Sequence, residues 1–366
     1  MRIATVVGTR PQLIKLAALQ PALRARHTEL FIDTGQHYDD AMAGAFFAEL
    51  ALPAPDHSLG IGGGGGASQT GRMLVALEPV LAAARPDVVL VIGDTNSTLA
   101  GALCAAKLGI PVAHVEAGLR SFDRLMPEEV NRVVSDHLAR WLFAPTPTAV
   151  ANLAAEGITD GVALVGDLMQ DLAARIVPEL RAPEALRWLP AEAGDLAPGQ
   201  YVFATIHRAE NREPAAVAAW AALLRAVATP ARPVVLALHP GTLVALREAG
   251  ADLGPDVRVI APLGYRSSLA AQLHAAAVVT DSGGVQREAA WLGVPCLVVR
   301  DTTEWVEAVA ASDGRMAVVG RDARHALEVL DRIAPAEAGA AAVLQRAASA
   351  RVEPAGAADR ISEALA

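Results

Sequence analysis

Residues 88–99 read VVLVIGDTNSTL, which is a run of five apolar residues, a turn with a glycine and an acid, and the start of a helix pattern. Apolar side chains at every position of a strand require burial of both its faces, as in a parallel sheet that helices cover on both sides. The same succession of apolar run, turn and Ala/Leu-rich segment recurs along the chain. The pattern therefore predicts an α/β protein with doubly wound parallel sheets.

The apolar runs fall into two series, which predicts two domains. Residues 177–200 interrupt the rhythm with prolines and scattered acids, so we predict a connector there and a domain boundary near 166–171. Helices are predicted between the runs, for example at 11–26, 97–108, 127–139 and 215–228. The predicted strands lie at 3–8, 30–34, 88–92, 112–115, 141–144, 162–165, 201–205, 234–238, 257–260, 278–280, 295–299 and 317–319.

Composition narrows the class of protein. The 366 residues include 31 basic and 40 acidic side chains, and the net charge of −9 excludes a general binder of nucleic acid or anionic membranes. Cys104 and Cys296 lie in apolar runs and cannot form a disulfide framework, which predicts buried thiols in a reducing cytoplasm. The longest apolar stretch, 215–224, is too short to span a bilayer. We therefore expect a soluble, cytoplasmic protein.

A glycine-rich stretch, GIGGGGG at 60–66, formally contains the dinucleotide-binding pattern G-x-G-x-x-G. That pattern has its physical meaning only where a buried strand leads into a helix. The preceding residues 54–58, APDHS, are no such strand. We interpret the stretch as a flexible loop, with a mobile lid as the alternative, because glycines allow large backbone changes at low steric cost.

In the first series, polar residues follow the predicted strands. Arg10 and Lys15 flank the start of the first helix, where free N–H groups attract anions, so they predict either a phosphate site or an ordinary turn with two exposed cations. Asp94 lies where a strand meets a helix, and by itself is better explained as a helix cap.

Further along the first series, His114 and Glu116 end a buried strand. Glu116 is expected to face a cleft or to pair with Arg120, because charged groups are rarely buried without a partner. Glu128 and Arg132 are four residues apart on a predicted helix. They are either a surface ion pair or a carboxylate that an arginine orients.

The second series carries the strongest signal at 280–288, TDSGGVQRE. Ser282, Gly283 and Gly284 form a strand-to-helix turn, and the N-terminus of such a helix can receive a diphosphate. Glu288 lies about one turn further on, and its carboxylate can accept two hydroxyl donors, as a ribose offers.

An earlier segment of the second series, 207–212, HRAENR, also follows a strand, and its polar residues favour a site. No cluster has the spacing of metal ligands and no nucleophile motif appears, so no metal or cofactor is expected.

Together these residues resemble the non-hydrolysing UDP-N-acetylglucosamine 2-epimerase family. The resemblance implies a GT-B fold, with Rossmann-like doubly wound domains at 1–168 and 169–350 facing each other across a cleft and a C-terminal helix, 351–366, returning to the first domain. It also implies a homodimer that converts UDP-GlcNAc to UDP-ManNAc. The motifs are GTRP at 8–11, GDT at 93–95, HVEAGLR at 114–120, PEE at 127–129, HR at 207–208, LGY at 263–265, DSGG at 281–284 and RDTTE at 300–304.

The resemblance also implies roles for single residues. The catalytic carboxylates fall on Asp94, Glu116 and Glu128, and Arg132 and His207 assist them. The family's UDP-binding residues fall on Arg10, Ser282, Gly283, Gly284 and Glu288. The residue pattern adds Lys15 and Arg208 to this predicted UDP site.

Some positions depart from the commoner family pattern. Gln12 stands where Glu is frequent, GD at 166–167 replaces Gly-Asn, and WVE at 305–307 replaces Arg-Pro-Glu. The glycine loop and EWVE at 304–307 resemble a branch that includes epimerases of UDP-2,3-diacetamido-glucuronate, which is the alternative substrate.

Some bacterial members of the family bind a second UDP-GlcNAc as an activator. Gln36 and His239 resemble part of that site, whereas Ser68 stands where an arginine is expected.

Two other functions are compatible with the expected fold. A GT-B glycosyltransferase would bind the same UDP-sugar and pass the sugar to an acceptor, and a regulator would bind it without turnover.

Overall fold

The computed structural model describes residues 1–36, 47–334 and 339–366, and its two sheets, each with helices between parallel strands, confirm the α/β prediction. The chain divides into two compact units. The first unit consists of Met1–Leu172 and Glu353–Ala366, and the second of Ala173–Val352. Among the described residues, every helix is too short or too polar to span a lipid bilayer.

The first unit is built on a seven-stranded sheet in which every pair is parallel, in the order β3-β2-β1-β4-β5-β6-β7. Its strands are β1 (Arg2–Val7), β2 (Thr28–Asp33), β3 (His57–Ser58), β4 (Val88–Ile92), β5 (Val112–Val115), β6 (Trp141–Ala144) and β7 (Val162–Leu164). Its helices are Arg10–Arg26, Gly66–Ala84, Asn96–Lys107, Pro127–Leu138, Pro147–Ala155 and Ala357–Ala364, and the helix Leu168–Leu180 leads into the second unit.

The second unit contains a six-stranded parallel sheet in the order β10-β9-β8-β11-β12-β13. Its strands are β8 (Val202–Ile206), β9 (Val234–Leu238), β10 (Val257–Ile260), β11 (Ala277–Thr280), β12 (Cys296–Val298) and β13 (Met316–Val318). Its helices are Pro214–Val227, Pro240–Glu248, Tyr265–His274, Gly283–Trp291, Val306–Ala311, Ala323–Ile333 and Gly339–Ser349, with 3-10 turns at Pro183–Trp188, Ala191–Ala193 and Ala209–Arg212.

Every predicted strand is present, with bounds within about two residues of those predicted. The strand β3 was not predicted, because its two exposed residues form no apolar run. The segment 177–200 is more than a connector. Its two 3-10 turns bury Ala185 and Ala193, and Ala193 packs with Tyr201 and Phe203 in the core of the second unit.

The C-terminal helix Ala357–Ala364 packs on the first helix of the chain. The Ser362 carbonyl oxygen lies 2.9 Å from His27 Nε2. The Ser362 hydroxyl donates to the Ala22 carbonyl at 2.9 Å. Asp171 caps the start of the C-terminal helix by accepting from Gly356 N at 2.8 Å and Ala358 N at 3.0 Å. These bonds make the C-terminal helix part of the first unit.

Strand order fixes where each sheet can offer a site. The chain runs outward in both directions from the neighbours β1 and β4 in the first sheet, and from β8 and β11 in the second. Loops leave the carboxyl ends of such neighbouring strands in opposite directions and open a crevice, where ligands of doubly wound sheets bind. The polar motifs follow these strands.

One helix lies unusually close to the first sheet. A Cβ atom added to Gly101, in the helix Asn96–Lys107, would lie 2.8 Å from Val91 Cγ1 and 3.3 Å from Val6 Cβ. By contrast, a Cβ added to Gly71, at an exposed position of the helix Gly66–Ala84, would meet nothing within 4 Å. Only a glycine at position 101 permits this close approach.

The same substitution is therefore expected to have opposite effects at these two positions. Gly71→Ala should stabilise the protein by about 0.5–1 kcal/mol, because alanine favours the helix. Gly101→Ala should destabilise it by about 1–3 kcal/mol, because the added methyl overpacks the core. Urea denaturation of both variants checks this, and a stabilised Gly101→Ala would contradict the packing.

Candidate active site

Glu116 follows β5 at the carboxyl edge of the first sheet. It is held at a φ of 71°, a left-handed conformation that is strained for a residue with a side chain. Its N–H donates to the Phe143 carbonyl at 3.0 Å, and its carboxylate forms an ion pair with Lys15 Nζ. Both side chains of the pair are only about a tenth exposed. Strain of this kind is typical of functional positions.

Of the two alternatives for Glu116, a cleft or a pair with Arg120, the structure does not form the pair. Arg120 instead contacts the Asp136 carboxylate at 2.7 Å and forms two 2.7 Å bonds to Glu156. The structure also gives Lys15 a definite role, because it balances the charge of Glu116 rather than being an exposed cation beside the first turn.

Asp94 is not a helix cap. Thr95 caps the helix Asn96–Lys107, and its hydroxyl accepts from Thr98 N at 3.4 Å. Asp94 is thereby left to form an ion pair with Arg132, and its side chain remains one-third exposed. The Asp94 carbonyl accepts from Asn131 Nδ2 at 2.9 Å. The carboxylate is therefore oriented and still reachable.

Arg132 pairs with Glu129 and not with Glu128, which its spacing in the sequence suggested. Its second partner is Glu129, at 3.0 Å, whereas Glu128 is exposed on the first turn of the same helix. Glu129 also accepts from Ser121 N at 2.9 Å and Phe122 N at 3.0 Å, which fixes the loop before the helix. Glu129 was missed because Glu128, rather than Glu129, lies the customary four residues from Arg132.

The Gln12 side chain connects the turn after β1 to the end of β4. Its side-chain oxygen accepts from Gly8 N at 2.8 Å and Thr9 N at 3.1 Å, and its amide donates to the Ile92 carbonyl at 2.7 Å. A glutamate could not make the last bond without holding a proton. Arg10 is half-buried beside it, and burial, which Glu49 partly offsets, lowers the pKa of Arg10.

The two residues that resemble part of the family's activator site, Gln36 and His239, lie in different units. Gln36 accepts from Ser97 N at 2.9 Å in the first unit. His239 caps the helix Pro240–Glu248 in the second unit, and its ring accepts from Gly241 N at 3.2 Å. Both have local structural roles, and the activator site stays a prediction.

In the second unit, a fully buried carboxylate organises the ends of β8 and β11. Asp281 accepts from His207 N at 3.0 Å, Arg208 N at 2.9 Å and Asn211 Nδ2 at 2.7 Å, and lies 3.0 Å from His207 Nδ1. Burial would raise the pKa of Asp281, but these donors hold it below its ordinary value. The His207 ring is half exposed, so it is oriented and accessible at once.

The turn after β11 is the predicted strand-to-helix turn. Ser282 caps the helix Gly283–Trp291, and a Cβ added to Gly283 would lie 2.7 Å from Trp305 Nε1. The Trp305 ring in turn lies 3.8 Å below the Arg287 guanidinium. Trp305, one of the departures from the commoner family pattern, thus forms a wall of this turn.

Buried partners hold the other predicted UDP-binding side chains of the second unit. Gln272 donates to the Glu288 carboxylate at 2.6 Å. Arg208 contacts Glu304 at 2.9 Å, and Arg300 contacts the other Glu304 oxygen at 2.6 Å. Burial would raise the pKa of Glu304, but the two arginines lower it. Sequence reasoning assigned no role to Gln272 or Glu304. Gln272 and Glu288 are 16 residues apart, and Arg208 and Glu304 are 96 apart, so neither pair is visible as a local pattern.

In the part of the chain that the structure describes, no three His, Cys, Asp or Glu side chains are grouped as metal ligands would be. Cys104 and Cys296 are both buried, as predicted, and burial raises the pKa of each thiol.

Comparison of the chain with known proteins identifies a family to which it is similar. A sequence model of the family described as UDP-N-acetylglucosamine 2-epimerase matches residues 21–365. A UDP-N-acetylglucosamine 2-epimerase homolog from Methanococcus maripaludis is 42% identical over 92% of this chain and 93% of its own. The UDP-2,3-diacetamido-2,3-dideoxy-D-glucuronate 2-epimerase of Pseudomonas aeruginosa is 42% identical over 88% of this chain and 90% of its own.

Solved structures agree with the sequence relatives. The UDP-GlcNAc 2-epimerase of Methanocaldococcus jannaschii, in complex with UDP-GlcNAc and UDP, matches with a TM-score of 0.85 and 37% identity, over 100% of this chain and 99% of that one. A calicheamicin glycosyltransferase, at a TM-score of 0.54 and 16% identity over 100% of this chain and 98% of that one, shares the fold alone. The predicted family, the GT-B class and an isomerase activity are thereby confirmed.

The Asp281 cluster predicts a specific dependence of stability on pH. Because the folded pKa of Asp281 is lowered, its contribution to the free energy of unfolding is present above the unfolded pKa of about 3.9 and is lost as pH falls through the folded value. Asp281→Asn should cost on the order of 2 kcal/mol at pH 7.

Urea denaturation between pH 7 and pH 3 tests this dependence, with the exposed Asp331→Asn as a matched control. The difference between wild type and Asp281→Asn should shrink toward acid, whereas Asp331→Asn should follow the wild type throughout. A constant difference at all pH values would rule out the charge of Asp281 as the cause.

Proposed function

We propose, because the chain belongs to the UDP-N-acetylglucosamine 2-epimerase family, that it inverts C2 of UDP-GlcNAc to give UDP-ManNAc. The observation that carries the proposal is the pair of carboxylates at the carboxyl edge of the first sheet. Glu116 and Asp94 follow neighbouring strands, and each is oriented by its own cation, Lys15 or Arg132. Such a pair suits a reaction that moves a proton between opposite faces of one carbon.

The chemistry explains why more than one acid/base group is needed. The C2 hydrogen lies next to no carbonyl, so direct removal would be very slow. We infer that the C1–O bond breaks first and UDP leaves with the bonding electrons. A carboxylate takes the C2 proton, which gives a bound 2-acetamidoglucal. UDP then re-forms its bond to C1 while a second group delivers a proton to the opposite face of C2, so atoms and charge balance.

The first unit supplies these acid/base groups in this proposal. Glu116 and Asp94 are the leading candidates for proton removal and return. Glu128 is their partner, and its exposed side chain is reachable by a substrate. Arg132 orients Asp94, and Lys15 keeps the charge of Glu116 balanced in a nearly buried site. Arg10, at the neighbouring helix start, would stabilise the diphosphate.

The second unit supplies the nucleotide-binding edge. The helix Gly283–Trp291 begins directly after its cap Ser282, and its N-terminus at Gly283 and Gly284 would receive the diphosphate. Arg208 and the half-exposed His207, both held by Asp281, would stabilise charge on the departing diphosphate. Glu288 would accept the ribose hydroxyls, and Gln272 holds its carboxylate in place.

A second substrate has its own support. The relative from Pseudomonas aeruginosa named as a UDP-2,3-diacetamido-2,3-dideoxy-D-glucuronate 2-epimerase is 42% identical over 88% of this chain. Trp305, which stands where an arginine is typical, lines the turn at Gly283. An epimerase of this modified sugar is therefore the alternative. The homodimer and the cytoplasmic location stay predictions.

One incubation separates the functions. The enzyme is expected to incorporate deuterium at C2 when it turns over a UDP-sugar in D2O without acceptor, because the returning proton comes from an exchanged carboxyl group. UDP-GlcNAc and UDP-2,3-diacetamido-glucuronate are assayed in parallel by NMR, and the larger kcat/KM identifies the substrate. Turnover only with an added acceptor indicates a glycosyltransferase, and binding without turnover of any UDP-sugar indicates a regulator. Either result contradicts the proposal.

Removing the charge of Glu116 tests its role. Glu116→Gln is expected to lower kcat by on the order of 10²–10⁴-fold, the usual contribution of an acid/base group, while UDP affinity stays within about twofold. Steady-state kinetics and UDP titration calorimetry measure the two effects. Glu78→Gln, at an exposed position of the same unit, is the control and should match the wild type. Unchanged turnover in Glu116→Gln would remove Glu116 from the mechanism.

A further inference from the structure

His114 is a fully buried residue of β5 to which the proposed mechanism assigns no role. Its Nδ1 atom lies 2.6 Å from Asp136 Oδ1, and its Nε2 atom lies 2.7 Å from the Gly93 carbonyl oxygen. Both neighbours are acceptors, so both ring nitrogens must donate, and only the imidazolium form can do this. Burial would lower the pKa of His114, but Asp136 and the Gly93 carbonyl raise it above its ordinary value.

Asp136 connects this cation to a second one. Its other carboxylate oxygen lies 2.7 Å from Arg120 and accepts from Gly118 N at 3.1 Å. Burial would raise the pKa of Asp136, but His114 and Arg120 lower it. The remaining charged groups around the ring are Asp94 and, beyond Arg120, Glu156. The charges alternate in sign, so the cluster is stable although most of it is buried.

A buried charge cluster is weak evidence for stability alone, because apolar residues of the same volume are often as stabilising. Its contact with the Gly93 peptide suggests another role. Gly93 directly precedes Asp94, and a Cβ added to Gly93 would lie 3.3 Å from the Glu116 carboxylate and 3.5 Å from Lys15 Nζ. The Gly93 peptide, whose carbonyl contacts His114, therefore lies between Asp94 and Glu116, the two carboxylates of the proposed mechanism.

We propose that His114, with Asp136 as its counter-ion, is a positioning residue for epimerisation. It acts through the Gly93 carbonyl, which it holds by a charge-assisted hydrogen bond, and so fixes the turn that presents Asp94 beside Glu116. This inference rests on the proposed function, because it assumes that those carboxylates act on the sugar. His114 itself is fully buried, and protein acceptors occupy both of its ring nitrogens.

The variant His114→Asn tests the proposal, because asparagine can donate to Gly93 or Asp136 but cannot span both. It should lower kcat by on the order of 10²-fold, as a misplacement of about 1 Å does, and leave KM within about threefold. A crystal structure of the variant should show the Asp94 carboxylate displaced. That readout holds whether or not the substrate is the one proposed.

The matched control is His27→Asn, which removes a second buried histidine of the same unit. His27 contacts the Ser362 carbonyl at 2.9 Å and holds the C-terminal helix. It should lower Tm without lowering kcat. A merely structural His114 would behave in the same way, with full kcat well below Tm, and would overturn the inference, as would an unmoved Asp94 in the crystal.

Should His114→Asn fail to fold, Asp136→Asn is measured in its place, because asparagine keeps the shape and one acceptor. A loss of kcat by about tenfold with unchanged KM is then expected, since the imidazolium loses its counter-ion. Unchanged kcat would overturn the inference. Failure of the proposed function differs from all these outcomes, because the wild-type enzyme would then show no epimerisation.

Discussion

The structure depends on one electrostatic constraint: a buried carboxylate must have its negative charge balanced by donors or cations. Asp281 meets this constraint with backbone N–H groups and His207, and Glu116 meets it with Lys15. Asp136 meets it with His114 and Arg120. Because each partner comes from another element, balancing these charges also fixes the loops of the site relative to the sheets.

The parallel sheets explain why these carboxylates collect where they do. Within each sheet all described strands run in the same direction, so their carboxyl ends share one edge of that sheet. Each unit has its own switch point there, between β1 and β4 in the first unit and between β8 and β11 in the second. At the edge of its own sheet, the first unit has two carboxylates that are each paired with a cation, whereas the second unit has a capped helix N-terminus, a histidine and arginines. In the proposed function, the first unit moves the protons and the second unit holds the diphosphate.

Three residues of the candidate site show which features neighbouring residues in the sequence could predict. The turn of Ser282 and its helix was predicted correctly, since a strand-to-helix turn is encoded within a few neighbouring residues. Asp94 could not be distinguished from a cap by its neighbours alone, and the structure gives the cap to Thr95. Spacing suggested Glu128 for Arg132, whereas burial selected Glu129, because only the inward face of that helix meets the loop.

The sequence by itself determined the two doubly wound sheets, the bounds of nearly all strands and the family, because burial of both faces leaves continuous apolar runs and the motifs follow them directly. Only the tertiary structure decided which charges meet. Lys15 and Glu116 are 101 residues apart, and Arg132 and Asp94 are 38 apart. Charge pairing acts over a few ångströms in space and leaves no periodic pattern in the chain, so the sequence names the charged residues but cannot pair them.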